Sequence, residues 1–152
     1  MLSTGDMAPD FTLQDQGGTN VSLAALLETG PVVVFFYPKA MTSGCTRESC
    51  HFRDLAGEFA DVGAQRVGIS ADDVAKQAAF DAKHGLGYPL VSDADRVVAS
   101  QFGVRRPGPL MNKRATFVIG TDRRILAAFS SELNMEAHAD RALDVLRAAA
   151  PA

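Results

Sequence analysis

Apolar and polar residues alternate through Phe11–Leu23, FTLQDQGGTNVSL, on either side of Gly17-Gly18. A period of two broken by a glycine pair predicts a β-hairpin. After Pro31 the pattern changes to VVVFFY, Val32–Tyr37, an unbroken β-branched and aromatic run. Such a run predicts a strand buried on both faces. Phe52, Leu55 and Phe59 then recur at i, i+3 and i+7, a helical stripe. Arg66–Ser70, RVGIS, reads as a second buried strand. Ser70-Ala71-Asp72-Asp73 fits a capping box, with Ala75, Ala78, Ala79 and Ala82 marking one face of the helix behind it. Gly85, after His84, is placed as its C-cap.

YPLVSD is a short extended piece leading to a short helix around Asp95–Phe102. ATFVIG, a turn at Thr121-Asp122 and RILAAFS predict a second hairpin. Ala139, Ala142, Leu143 and Leu146 mark the inner face of a last helix. Strands alternating with helices, with hairpins at the start and near the end, predict an α/β domain with a mixed sheet.

The 152 residues fit one domain, expected to run from 1 to 152, with 47% apolar and 22% charged residues. A net charge of −3 gives no reason to propose a nucleic acid or an anionic membrane as partner. The first fifteen residues have neither the basic nor the apolar segment of a signal peptide, and no apolar run reaches a membrane span. The expectation is a cytoplasmic protein, a setting in which paired cysteines are more often catalytic, redox-sensing or metal-binding than structural.

The chain has two cysteines, both in SGCTRESC, Ser43–Cys50, directly behind the first buried strand. Pro38 ends that strand because it cannot continue donating to a ladder. Thr42 or Ser43 can then cap a helix, which puts Cys45 in the first turn. There, free N–H groups and the positive end of the helix dipole favour a thiolate. Cys50 lies five residues on; in an α-helix the two Cα atoms are about 8.7 Å apart. Disulfides do not form beyond roughly 7 Å, so bonding needs local unwinding. Thr46-Arg47-Glu48-Ser49 is polar and is expected to melt without exposing core. The spacing therefore allows a two-state segment, helical when reduced and unwound when oxidised.

Other readings of the pair remain open at this level. Two inert core cysteines are one. A zinc site needs about four ligands, and C-x-x-x-x-C-H supplies three. Haem attachment needs C-x-x-C-H, and a thioredoxin-type dithiol needs C-x-x-C; neither spacing is present.

PKAMTSGC, Pro38–Cys45, resembles the P-x-x-x-T-x-x-C signature of the peroxiredoxins, and a second cysteine five residues later is similar to the Q-type branch, the bacterioferritin comigratory proteins. GDMAPDFTL, FFYPK, ESCHFRD, GISADD, YPLVSD, QFGV and RATFVIG extend the likeness, in order, over essentially the whole chain. The resemblance implies a thioredoxin-like fold: a central mixed sheet flanked by helices, with an N-terminal hairpin. It implies a peroxidase in which Cys45 is the peroxidatic cysteine and Cys50 the resolving one. Thr42 then hydrogen-bonds the peroxide, Pro38 shields the site, and Arg114 stabilises the thiolate and orients the substrate. The implied partners are hydroperoxides and a thioredoxin or glutaredoxin-like reductant; the implied assembly is a monomer or weak homodimer. No metal, haem or flavin is implied.

The chain departs from that branch in places. Ser43 stands where many members have proline, Ala40 and Met41 where acidic residues are common, and the loop RRPGPLMNK is short. Arg105 and Arg106 in that loop read as solvated charges. Lys39 reads as exposed, His84 as serving a helix C-terminus, and His138 as lying beside the last helix's apolar stripe. His51, Arg47 and Glu48 are close enough in sequence to influence the thiols. Two rival functions use the same cysteines: a redox sensor that turns over slowly, and a thiol–disulfide oxidoreductase acting on proteins. Turnover of peroxide with a thioredoxin system separates them.

Overall fold

The computed structural model describes residues 1–149. Its elements run β1 (Thr12–Gln14), β2 (Asn20–Ser22), α1 (Leu23–Leu27), β3 (Val32–Phe36), α2 (Ser43–Asp54), α3 (Ala56–Asp61), β4 (Gln65–Ser70), α4 (Val74–His84), β5 (Leu90–Ser92), α5 (Val97–Phe102), β6 (Ala115–Ile119), β7 (Ile125–Ser130) and α6 (Met135–Ala149). β1 and β2 form the expected hairpin, Thr12 opposite Ser22, with Gly18 at positive φ in its turn. The other strands form one sheet in the order β5-β4-β3-β6-β7. β3 is parallel to β4 and antiparallel to β6, so the sheet is mixed, and the run Val32–Phe36 is its buried centre.

The two faces of β3 carry two cores. Val32, Val34 and Phe36 pack with Leu23, Val98, Ala99 and Phe102 on the side of α1 and α5. Val33, Phe35 and Tyr37 pack with Phe52, Phe59, Phe80, Ala139 and Leu143 on the side of α2, α3, α4 and α6. Phe35 stacks on Phe52 with ring centroids 4.1 Å apart, which fixes α2 against the central strand.

Three local expectations are corrected. The stripe Phe52–Leu55–Phe59 is not one helix: Leu55 leaves helical geometry (φ −94°, ψ 19°) and separates α2 from α3. The cap of α4 is Asp73, whose carboxylate accepts from the Lys76 N–H; Ser70 stays in β4 and is buried. The alanines of α4 are not its core face, since Ala75, Ala79 and Ala82 are exposed while Gln77 and Phe80 point inward. Small residues tolerate either environment, so the one large apolar side chain decides the orientation. Gly85 closes α4 in the left-handed conformation, as its position predicts.

Candidate active site

β3 ends at Phe36, and the Tyr37 N–H still donates to Ile69 O (3.0 Å) before half-buried Pro38 breaks the ladder. The turn that follows is tied down by Asp72, whose Oδ2 accepts from the Ala40 N–H (2.8 Å) and from Ser70 Oγ (2.7 Å). Met41 takes a positive φ of 70°, a strained conformation for a residue with a long side chain. Thr42 is the N-cap of α2, but its hydroxyl donates to Lys39 O (2.7 Å) and caps no helix N–H. The first turn therefore keeps unclaimed donors.

Cys45 is the third residue of α2 and fully buried. Arg114 reaches it across 69 residues of chain: Nη2 donates to Cys45 Sγ at 3.3 Å. The register explains the meeting. Ala115 of β6 lies opposite Phe36, so Arg114 flanks the strand end from which α2 departs. Gly44 gives the guanidinium room, because a Cβ there would sit 3.3 Å from both Arg114 Nη2 and Met135 Cε.

The other guanidinium nitrogen, Nη1, donates to Glu48 Oε1 at 2.8 Å. Glu48 is completely buried, and its Oε2 has no hydrogen bond among the described residues; it lies 3.4 Å from His138 Nδ1. Nδ1 is also 2.7 Å from Thr116 Oγ1, and Nε2 is 2.9 Å from Ser131 O. Burial pushes the Glu48 carboxyl up to about 8, against the pull of Arg114. Burial also holds the His138 imidazole below its ordinary value. For Arg114 burial works against the charge, and Glu48 and Cys45 outweigh it, so the guanidinium stays a cation. Its backbone N–H donates to Glu132 Oε1 (2.9 Å), which also pairs with Arg106.

Cys50 is on the same helix, half-buried and free, packed against the α6-side core. The segment between the cysteines differs from expectation. Glu48 and Ser49 are fully buried, and the Tyr88 hydroxyl donates to Ser49 O at 2.7 Å. Unwinding this turn exposes buried polar groups and breaks specific bonds.

Thus Cys45, Thr42 and Arg114 converge on the start of α2, with Pro38 just ahead and Cys50 further along. Lys39 is exposed, and His84 ends α4 with its carbonyl accepting from Arg53 (2.7 Å). Two readings are corrected. Arg106 is not merely solvated, since it braces the carboxylate that holds Arg114. His138 lies within the inner face of α6, fully buried. His51 joins α2 to α6 through Asp140 (2.8 Å). Sequence reasoning places Glu48 near the thiols but misses its burial, and it misses His138, Thr116 and Tyr88 as parts of the site. Spacing held a signal for two of them: Glu48 is three residues after Cys45, and His138 three after Met135 and four before Ala142.

The profile of the AhpC/TSA family matches residues 4–128. The crystal structure of peroxidoxin BcpB from Mycobacterium tuberculosis is 58% identical and superposes with a TM-score of 0.95, over 99% of this chain and 100% of that one. Peroxiredoxin Q of Xanthomonas campestris superposes with a TM-score of 0.86 at 34% identity, over 93% of this chain and 92% of that one. Chloroplastic peroxiredoxin Q of Arabidopsis thaliana is 40% identical over 151 residues, 97% of this chain and 68% of that protein. The thioredoxin fold of these peroxiredoxins is the fold described above, and this chain belongs to the AhpC/TSA family as a peroxiredoxin of the Q type, a group of thiol-dependent peroxidases.

Proposed function

We propose that Cys45 is the peroxidatic thiolate and Cys50 the resolving thiol of a cycle that reduces hydrogen peroxide and organic hydroperoxides. A dithiol protein, thioredoxin or one like glutaredoxin, restores the reduced state in the cytoplasm. The observation that carries this reading is the Arg114 Nη2–Cys45 Sγ contact of 3.3 Å at the first turn of α2. A guanidinium and a helix N-terminus together favour an anionic sulfur.

The thiolate attacks the near oxygen of the hydroperoxide and the O–O bond breaks. The far oxygen leaves with the electron pair and takes a proton, giving water or an alcohol, while Cys45 becomes a sulfenic acid. Charge grows on the leaving oxygen, so donors fixed in advance lower the barrier. Arg114 is one such donor. The Thr42 hydroxyl, one turn before the sulfur, becomes the second when its proton turns from Lys39 O to the substrate. Pro38 screens the site from water. The Cys50 thiol then displaces the hydroxyl of the sulfenic acid, releasing water and forming the disulfide, which the reductant reopens by exchange.

The test is steady-state peroxide consumption with a thioredoxin system. Cys45→Ser abolishes turnover; retained activity would remove Cys45 from the mechanism. Cys50→Ser reduces one equivalent, stops, and advances more readily to sulfinic acid. Wild-type turnover in that variant would remove Cys50 as the resolving thiol.

A further inference from the structure

The buried polar cluster is one hydrogen short of balance. Arg114 satisfies Glu48 Oε1, but Oε2 lies 3.4 Å from His138 Nδ1 and has no hydrogen-bond partner among the described residues. Both side chains are fully buried. His138 Nε2 donates to the Ser131 carbonyl, so in a neutral ring Nδ1 is an acceptor, served by the Thr116 hydroxyl at 2.7 Å and with no proton to offer Oε2. An ionised Glu48 against a neutral His138 would place two acceptors face to face without water between them.

We propose that Glu48 and His138 share one buried proton, and that this proton leaves the Arg114 cation available to the Cys45 sulfur. The inference rests on Cys45 being the reacting thiol. With the proton present, the Glu48–His138 pair is neutral whichever partner holds it, and Arg114 and the Cys45 thiolate form a one-to-one pair. Without it, the Glu48 carboxylate competes for the same guanidinium, and the cluster of thiolate, carboxylate and one cation carries a net buried negative charge. His138 is accordingly a positioning residue: it acts through Glu48 and Arg114 and touches neither sulfur nor substrate.

The surroundings agree. Arg114 and Thr116 face the pair from β6 and its approach, Cys45 shares α2 with Glu48, and Tyr88 lies toward Glu48 from the segment before β5. Glu132 faces His138 from the β7–α6 loop and Arg141 from α6 itself, its guanidinium over the Phe129 ring at 4.4 Å. Burial moves Glu48 up and His138 down, and both directions place the proton on the carboxyl near neutral pH. It is lost as pH rises through about 8. The expected signature is a falling alkaline limb in the peroxide step.

The chain has no tryptophan, so the step is read by rapid quench, trapping the Cys45 sulfenic acid for mass spectrometry in a Cys50→Ser background. Hydrogen peroxide is the probe, from pH 6 to 9.5. The parent rate is expected to fall at least about fivefold along the alkaline limb. Glu48→Gln, a permanent neutral amide, and His138→Gln, which has no ring to titrate, are each expected to change less than about twofold there or to move the limb by about a pH unit or more. A parent without the limb, or an unchanged limb in both variants, overturns the proposal while leaving Cys45 as the thiol. Absence of any Cys45 adduct overturns the functional reading instead. Should a variant not fold, carbon and nitrogen NMR of Glu48 and His138 in the parent protein decides. One proton shared at pH 7, lost along the limb, supports the pair; an ionised carboxylate beside an unprotonated Nδ1 at pH 7 sinks it.

Discussion

α2 and α4 occupy equivalent places, each following a central parallel strand and packing on the same face of the sheet, yet their polar groups are handled differently. α4 is capped at both ends, by the Asp73 carboxylate on the Lys76 N–H (2.8 Å) and by Gly85. Its buried polar residue, Gln77, is fully engaged: Nε2 donates to Ser70 Oγ (2.9 Å) and Val91 O (3.1 Å), and Oε1 accepts from Tyr37. α2 has no side-chain cap, a strained residue ahead of it at Met41, and a buried polar residue, Glu48, with one oxygen unpaired. Local satisfaction stabilises a helix. Its omission at α2 leaves donors and charge for a ligand, and it falls on the helix that carries both thiols.

Removing the cation that joins α2 to the sheet breaks this contrast most severely. Arg114→Met is expected to slow the peroxide step by about two orders of magnitude or more, measured by rapid quench. It also leaves Glu48 Oε1 buried without its donor and lowers stability by about 2 kcal/mol in chemical denaturation. A single variant within twofold of the parent rate would show that the 3.3 Å contact is only structural.

Thr42→Val separates the two meanings of a cap residue. The peroxide step is expected to slow by at least about tenfold. Stability should change less than at the equivalent cap of α4, because the Thr42 hydroxyl bonds no helix N–H. An unaltered rate would take Thr42 off the list of donors.

Tyr88→Phe loosens the turn between the cysteines by deleting the bond to Ser49 O. Burial keeps this phenol protonated far above the ordinary range, so it is a donor at all working pH. A lost hydrogen bond of about 1 kcal/mol predicts disulfide formation about two- to tenfold faster after sulfenic acid forms, with less sulfinic acid at high peroxide. Slower resolution would mean that the tyrosine guides Cys50 rather than restrains it.

Asp73→Ala should have the smallest effect on activity. It is expected to destabilise the fold by about 1 kcal/mol and leave peroxide turnover within about twofold. A larger loss of turnover would link α4 to the site and erase the distinction between the helices.

Much of the molecule follows from local pattern. A run such as Val32–Tyr37 is fit for little but a central strand, and the strand–proline–threonine–cysteine order puts Cys45 on a helix start because proline ends ladders and helix starts hold free donors. Patterns with periods near two and four report only neighbours along the chain, and this is where reading failed. The alanines of α4 suit either face, so Phe80 and Gln77 set its orientation through the core. Thr46–Ser49 reads as a solvated turn because it is polar. That Glu48 and Ser49 are buried depends on partners far away: Arg114, brought alongside by the antiparallel pairing of β6 with β3, and Tyr88, carried by the segment before β5.

By itself, the sequence determined most of the elements, the mixed α/β architecture and the placing of two thiols five residues apart on a helix that begins just before Cys45, since each rests on short-range sterics and periodicity. Only the tertiary structure decided that Arg114 bridges Cys45 and Glu48, that the intervening turn is locked, and that His138 stands against the unpaired carboxylate oxygen. Those contacts join residues up to 90 positions apart (Glu48 to His138), and they exist because sheet pairing and helix packing bury polar groups where nothing but a particular distant partner can satisfy them.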